Sequence, residues 1–150
     1  MIRRATSEDI PAVADVFERS FATLTFLPVL HTREERLAFF GGLLETHEVW
    51  VVEENGVLLG FCTISDMLDH FYIDPPAFGT GVADALFEHV TSRRPDGFTL
   101  WVFQQNARAR RFYERHGAVV LELTDGAHNE ERTPDALYEW RPEPRPQQTP

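Results

Sequence analysis

The stretch Asp69-His70-Phe71-Tyr72-Ile73-Asp74-Pro75-Pro76-Ala77-Phe78-Gly79-Thr80-Gly81-Val82-Ala83-Asp84-Ala85-Leu86-Phe87 decides the fold. A short apolar run stops at a double proline and crosses two glycines. It then takes up helical spacing, with Val82, Ala85, Leu86, His89 and Val90 on one stripe. This is a strand, a tight glycine turn and a helix N-terminus. Such a terminus leaves backbone N–H groups without partners and carries a positive partial charge, so it suits a phosphate. Glycine lets the backbone approach a bulky anion where a side chain would block it.

Two familiar nucleotide loops do not fit. The Walker pattern ends in Gly-Lys-Ser/Thr, and no lysine follows Gly81; the dinucleotide fingerprint Gly-x-Gly-x-x-Gly/Ala would end here at Asp84. A second informative stretch follows the strand-like run Phe98-Thr99-Leu100-Trp101-Val102-Phe103. It reads Asn106-Ala107-Arg108-Ala109-Arg110-Arg111-Phe112-Tyr113-Glu114-Arg115-His116-Gly117-Ala118. Asn106, Ala109 and Arg110, Tyr113 and Gly117 recur at steps of three or four and share one helix face. Asn106 is placed to cap this helix and Gly117 to end it in a left-handed conformation.

Together the two stretches resemble the cofactor elements of the GNAT N-acetyltransferase superfamily. The first resembles its pyrophosphate loop, commonly Gln/Arg-x-x-Gly-x-Gly/Ala, matched here at Gly81 and Ala83. Phe78 stands where that loop carries its polar residue. The second resembles the family's Asn-and-Tyr helix. The resemblance spans residues 1 to 141 and implies a GNAT-like domain over 1–141, with a proline-rich tail at 142–150. The fold it implies is α/β and single-domain, a mixed twisted sheet of about seven strands with helices on both faces.

Composition bounds the rest. At 150 residues, 43% hydrophobic and 12% aromatic, the chain is long enough for one substantial core. Its 24 acidic and 14 basic residues give a formal charge of -10, which argues against nucleic acid as a partner and mildly favours a cationic acceptor. Cys62 is the only cysteine and sits in an apolar run, so it reads as a buried core thiol outside any disulfide framework. No apolar stretch has the length of a membrane span, and no secretory apolar region follows Met1, so a cytoplasmic protein with no membrane partner is expected.

Along the chain, Ile2 to Ala5 reads as a strand. Ile10, Val13, Ala14, Phe17 and Phe21 trace a helix, and Thr32-x-x-Glu35 is a capping box opening another. Phe26, Leu27, Leu30 and His31, between these helices, are either acceptor-pocket or core residues. Glu48–Glu54 and Val57–Ser65 form a hairpin around Asn55-Gly56, Met67–Ile73 is the next strand, and Val119–Leu123 and Ala136–Trp140 close the list.

The resemblance implies acetyl-CoA as donor and an amine of a small molecule or protein as acceptor, with a homodimer as a frequent assembly. It places the pantetheine arm against the backbone of Phe71, Tyr72 and Ile73. The pyrophosphate would lie on Phe78, Gly79, Thr80, Gly81, Val82 and Ala83, and Asn106, Ala109, Arg110 and Tyr113 would add further contacts. It implies Tyr113 as the general acid for the leaving thiolate. Asp69 and His70 are candidates for the base; strand alternation sends them to opposite faces. Glu130 and Glu131 are alternatives for meeting an acceptor cation. The six histidines show no metal-ligand spacing, and no metal is expected. A non-catalytic acyl-CoA-binding module, or transfer of another acyl group or to a hydroxyl acceptor, stays open at this stage.

Overall fold

The computed structural model describes residues 1–143, so most of the proline-rich tail expected at 142–150 lies outside the described residues. The chain divides into two compact units, residues 1–90 and residues from 91 onward.

The first unit holds β1 (Ile2–Arg4), α1 (Ile10–Phe21), α2 (Arg33–Thr46), β2 (Glu48–Glu54), β3 (Val57–Ile64) and β4 (Leu68–Ile73); α3 (Val82–Arg93) begins within it. Its four strands form one sheet in the order β1-β2-β3-β4, each neighbour antiparallel. Asn55 and Gly56 turn β2 into β3 with φ of 52° and 79°, the two positive values that a primed hairpin turn requires. The apolar stripe of α1 does what its spacing implies: Ile10, Val13 and Val16 join Phe40, Val51, Leu58 and Phe61 in one buried cluster. The capping box of α2 is present, with Thr32 N donating to Glu35 Oε1 at 2.8 Å and Glu35 N to Thr32 Oγ1 at 3.2 Å. Cys62 is fully buried in β3, and desolvation raises its thiol pKa far above the ordinary value.

One irregularity falls at the two candidate bases. Thr63 pairs with His70, but Ile64 pairs with Leu68, so Asp69 is an extra residue on β4. A bulge of this kind interrupts alternation and re-aims side chains. Asp69 and His70 do not divide between two faces as regular alternation would have it; both meet residues supplied by α2 or its C-cap, as described below.

The second unit contains β5 (Phe98–Phe103), α4 (Ala107–Arg115), β6 (Val119–Leu123) and β7 (Asp135–Trp140). Its sheet is antiparallel in the order β5-β7-β6. The α/β class and the seven strands read from the sequence are present, divided between two sheets of four and three. Residues 124–134, too long for a tight turn, are pinned around the buried Asp135 carboxylate. That carboxylate accepts from Thr124 Oγ1, from His128 Nε2 at 2.9 Å and from Asn129 Nδ2 at 3.1 Å. Gln104 Nε2 ties the two ends of the segment, donating to Thr124 O and Asp135 O at 2.9 Å each. Glu130, at its tip, is exposed.

Candidate active site

The loop after β4 has the anatomy of an anion cradle. Asp74-Pro75-Pro76 makes a single 3₁₀ turn, with Ala77 N donating to Asp74 O at 2.8 Å and Phe78 N to Pro75 O at 3.0 Å. Gly79 and Gly81 then take φ of 75° and 89°, a region open to glycine and strained for other residues. A Cβ added at either would meet nothing within 4 Å, so backbone conformation and not packing demands glycine there. Among the described residues, the backbone N–H groups of Gly79, Gly81, Val82 and Ala83 donate to no protein acceptor, while Ala85 N returns to Gly81 O at 3.1 Å and starts α3. Four undonated N–H groups at a helix N-terminus suit a diphosphate. Phe78 leaves this arrangement intact because the cradle is built from backbone.

The loop is braced from behind. Arg19, in the last turn of α1, holds the Asp74 carboxylate bidentately, Nε to Oδ1 at 2.8 Å and Nη2 to Oδ2 at 3.0 Å. Asp74 is only 7% exposed. Its carboxylate raises the guanidinium pKa further. Sequence reading missed this pair, since 55 residues separate the partners; the one signal was an acidic residue directly before the double proline.

On β4 itself, the two candidate bases have different company. Asp69 Oδ2 accepts from Ser65 Oγ at 2.5 Å and lies 3.3 Å from Nε2 of His47, the C-cap of α2. His70 Nδ1 is 2.7 Å from Oγ1 of its cross-strand neighbour Thr63. Its ring meets Phe39 and Phe40 of α2 edge-on, at centroid distances of 5.5 and 5.6 Å. Burial depresses the His70 pKa from 6.5 to about 4, with His47 acting in the same direction and Asp69 opposing. The imidazole is therefore neutral at physiological pH. Phe71, Tyr72 and Ile73 follow on the same strand. Tyr72 joins Phe17 and Phe61 in an aromatic wall, at 4.9 and 5.7 Å. Neither Thr63 nor His47 was singled out from sequence, because nothing local marks a cross-strand partner or a helix cap.

In the second unit the helix expected from Asn106 to Gly117 forms as read. Asn106 Oδ1 accepts from Ala109 N at 3.2 Å. Gly117, at φ 94°, ends the helix, with its N–H on Glu114 O and that of Ala118 on Tyr113 O, which is the Schellman pattern. Asn106, Ala109, Arg110 and Tyr113 occupy the less exposed face, Tyr113 being buried. Arg110 Nε donates to the Tyr138 hydroxyl at 2.9 Å, and that hydroxyl donates to Glu114 Oε2 at 2.5 Å. The chain Arg110–Tyr138–Glu114 fixes the guanidinium while leaving its two terminal nitrogens available. Of the other residues considered, Leu30 is exposed and His31 lies 3.8 Å from Glu35, on the same helix entrance. Among the described residues no group of three or more His, Cys, Asp or Glu is arranged to hold a metal ion.

Comparison with known proteins gives this geometry a lineage. The family model described as an acetyltransferase (GNAT) domain matches residues 45–117, the span that contains the loop, α3 and α4. The peptidyl-lysine N-acetyltransferase YjaB of Escherichia coli (strain K12) is 34% identical over 122 residues, covering 79% of this chain and 82% of that protein. The chain belongs to the GNAT acetyltransferase family. A second relative, the peptidyl-lysine N-acetyltransferase YiaC of the same strain, is 28% identical over 143 residues, 93% of this chain and 96% of that protein. The solution structure of apo-form YjaB from Escherichia coli superposes with a TM-score of 0.75 at 30% identity, covering 93% of this chain and 95% of that one. The structure of YncA from Salmonella typhimurium with its cofactor acetyl-CoA shares the fold, with a TM-score of 0.73 at 21% identity over 96% of this chain and 94% of that one. As a GNAT member the chain is an acyltransferase, so the reading as a binding module without chemistry falls away. No helix among the described residues is long and apolar enough to cross a membrane.

Proposed function

We propose that this protein transfers the acetyl group of acetyl-CoA to the side-chain amine of lysine in a peptide or protein, through a GNAT domain spanning residues 1–141. The observation that carries the cofactor assignment is the row of undonated N–H groups at Gly79, Gly81, Val82 and Ala83, a cradle of the right charge for a diphosphate. The acetyl-CoA named with the related YncA fold supports it. The acceptor is supported by the shared description of YiaC and YjaB as peptidyl-lysine N-acetyltransferases and by the excess of acidic over basic residues.

Acetyl-CoA supplies an acetyl thioester. The lysine nitrogen attacks its carbonyl carbon; a C–N bond forms, the C–S bond breaks and the amine loses a proton. We assign that proton to Asp69, whose carboxylate already has the imidazole of His47 at 3.3 Å to share it. Tyr113 is assigned the proton given to the departing thiolate, a task suited to a phenol because the two acidities are close. Arg110, its Nε anchored on Tyr138, is assigned to the cofactor's phosphates. A homodimer, as the resemblance implies, would use β6, an edge strand whose Val119, Val120, Leu121 and Leu123 are all exposed.

The test is release of CoA thiol from acetyl-CoA over a panel of amines: a peptide with one internal lysine and a blocked N-terminus, a peptide with only a free α-amine, and a diamine. Release confined to the lysine peptide is expected. Release with the diamine alone would transfer the acceptor assignment to small molecules.

A further inference from the structure

Thr63 is fully buried in β3, and among the described residues its hydroxyl has a single hydrogen-bond partner, Nδ1 of His70. That fact decides where the imidazole carries its proton. A hydroxyl has one hydrogen to give, and a neutral imidazole has one N–H and one bare nitrogen. Were Nδ1 protonated, it would donate to Oγ1 and leave the threonine hydrogen buried with no acceptor, at a cost that disfavours the arrangement. With Nδ1 bare, the threonine donates to it and both groups are satisfied. The remaining proton of the neutral ring must then sit on Nε2, which makes no hydrogen bond among the described residues.

Resting on the acetyl-transfer reading, we propose that His70 acts as a neutral hydrogen-bond donor, its Nε2–H serving the oxygen of the reacting acetyl group, with Thr63 the positioning residue that fixes the tautomer. Negative charge grows on that oxygen as the C–N bond forms and before the C–S bond breaks, and a donor held in place beforehand is worth most at that moment. The ring is so held: Phe39 and Phe40 clasp it edge-on from α2, and Thr63 fixes one nitrogen from β3. The titratable neighbours are Asp69 and Tyr72 on β4 and His47 at the end of α2. The depressed His70 pKa of about 4 keeps the second proton off the ring. The same tautomer has no lone pair at Nε2, so His70 does not take the amine's proton, which leaves that work to Asp69.

The experiment has a spectroscopic arm and a kinetic arm. Long-range ¹H–¹⁵N correlation of the full chain near neutral pH, assigned by loss of the signal in His70→Gln, should show a bare Nδ1 and a protonated Nε2. A protonated Nδ1 would overturn the proposal. In Thr63→Val the preference for Nε2–H should weaken and kcat fall with KM little changed; an unaltered ring spectrum would remove Thr63 from its role. Kinetically, His70→Gln keeps a side-chain N–H near the Nε2 position without any basic nitrogen and should hold kcat within ~10-fold. His70→Phe, which fills the same aromatic pocket with no donor, should lose ~10²–10³-fold. Equal, large losses in both variants would make His70 a base; full activity in both would remove it from catalysis. Should His70→Phe fail to fold, the wild-type spectrum and His70→Gln still decide. Absence of thiol release with any amine would sink the acetyl-transfer reading itself, while the tautomer would still be read independently from the spectrum.

Discussion

Tyr113→Phe removes one hydroxyl and nothing else from a residue that packs against the interior of its unit. If the phenol protonates the leaving thiolate, kcat should drop by ~10²-fold while acetyl-CoA binding, followed calorimetrically, stays close to wild type. A loss of binding with kcat intact would make Tyr113 a packing residue. His70 gives a second prediction, on stability. Its folded-state pKa of about 4 lies below the ordinary 6.5, so the unfolded chain takes up the proton first as pH falls. The contribution is therefore complete above pH 6.5 and lost on approaching pH 4; the gap corresponds to about 3 kcal/mol. Urea unfolding of wild type should weaken over that window, and His70→Gln should flatten the dependence. Asp9, held near 2 by Arg3, adds a loss of the same sign only at lower pH. His70 and Tyr113 could be singled out as candidates because each sits at a marked place, before a glycine loop or on a patterned helix face. Thr63 could not, because it meets His70 only by pairing across a hairpin.

Among the elements, β4 runs through the glycine loop into α3, and the Arg19–Asp74 pair ties that loop to α1. Arg19→Ala would leave a nearly buried carboxylate without its cation. A stability loss of about 1–3 kcal/mol is expected, with a raised KM for acetyl-CoA and a kcat near wild type, because the loop is displaced and the chemistry untouched. An unchanged KM would show that the loop holds its shape unaided. The glycine loop could be read before any coordinates because positive φ leaves a compositional mark. The bulge at Asp69 could not: one slipped register between Thr63 and Ile64 changes which way a carboxylate points while leaving the strand pattern as it was. Helix limits were legible for a similar reason to the loop: Thr32, Asn106 and Gly117 are caps whose side chain or conformational freedom advertises them.

For the whole molecule, the seven strands followed from pattern and the α/β class from the resemblance, whereas the division into two sheets followed from neither, since pairing partners are set by tertiary geometry. The sequence carries no mark of the acceptor: no residue type signals a lysine peptide, and the net charge of -10 favours cations only in general. Whether the backbone cradle after β4 binds acetyl-CoA for transfer is decided by calorimetric titration of the full chain with acetyl-CoA, wild type beside Gly81→Val. Gly81 has φ of 89°, so a β-branched residue there must distort the cradle. Saturable binding to wild type, with at least ~10-fold weaker binding to the variant, is the expected result, since about 1.4 kcal/mol of lost phosphate contacts suffices for that. Equal affinity in both proteins, or no binding to either, would contradict it.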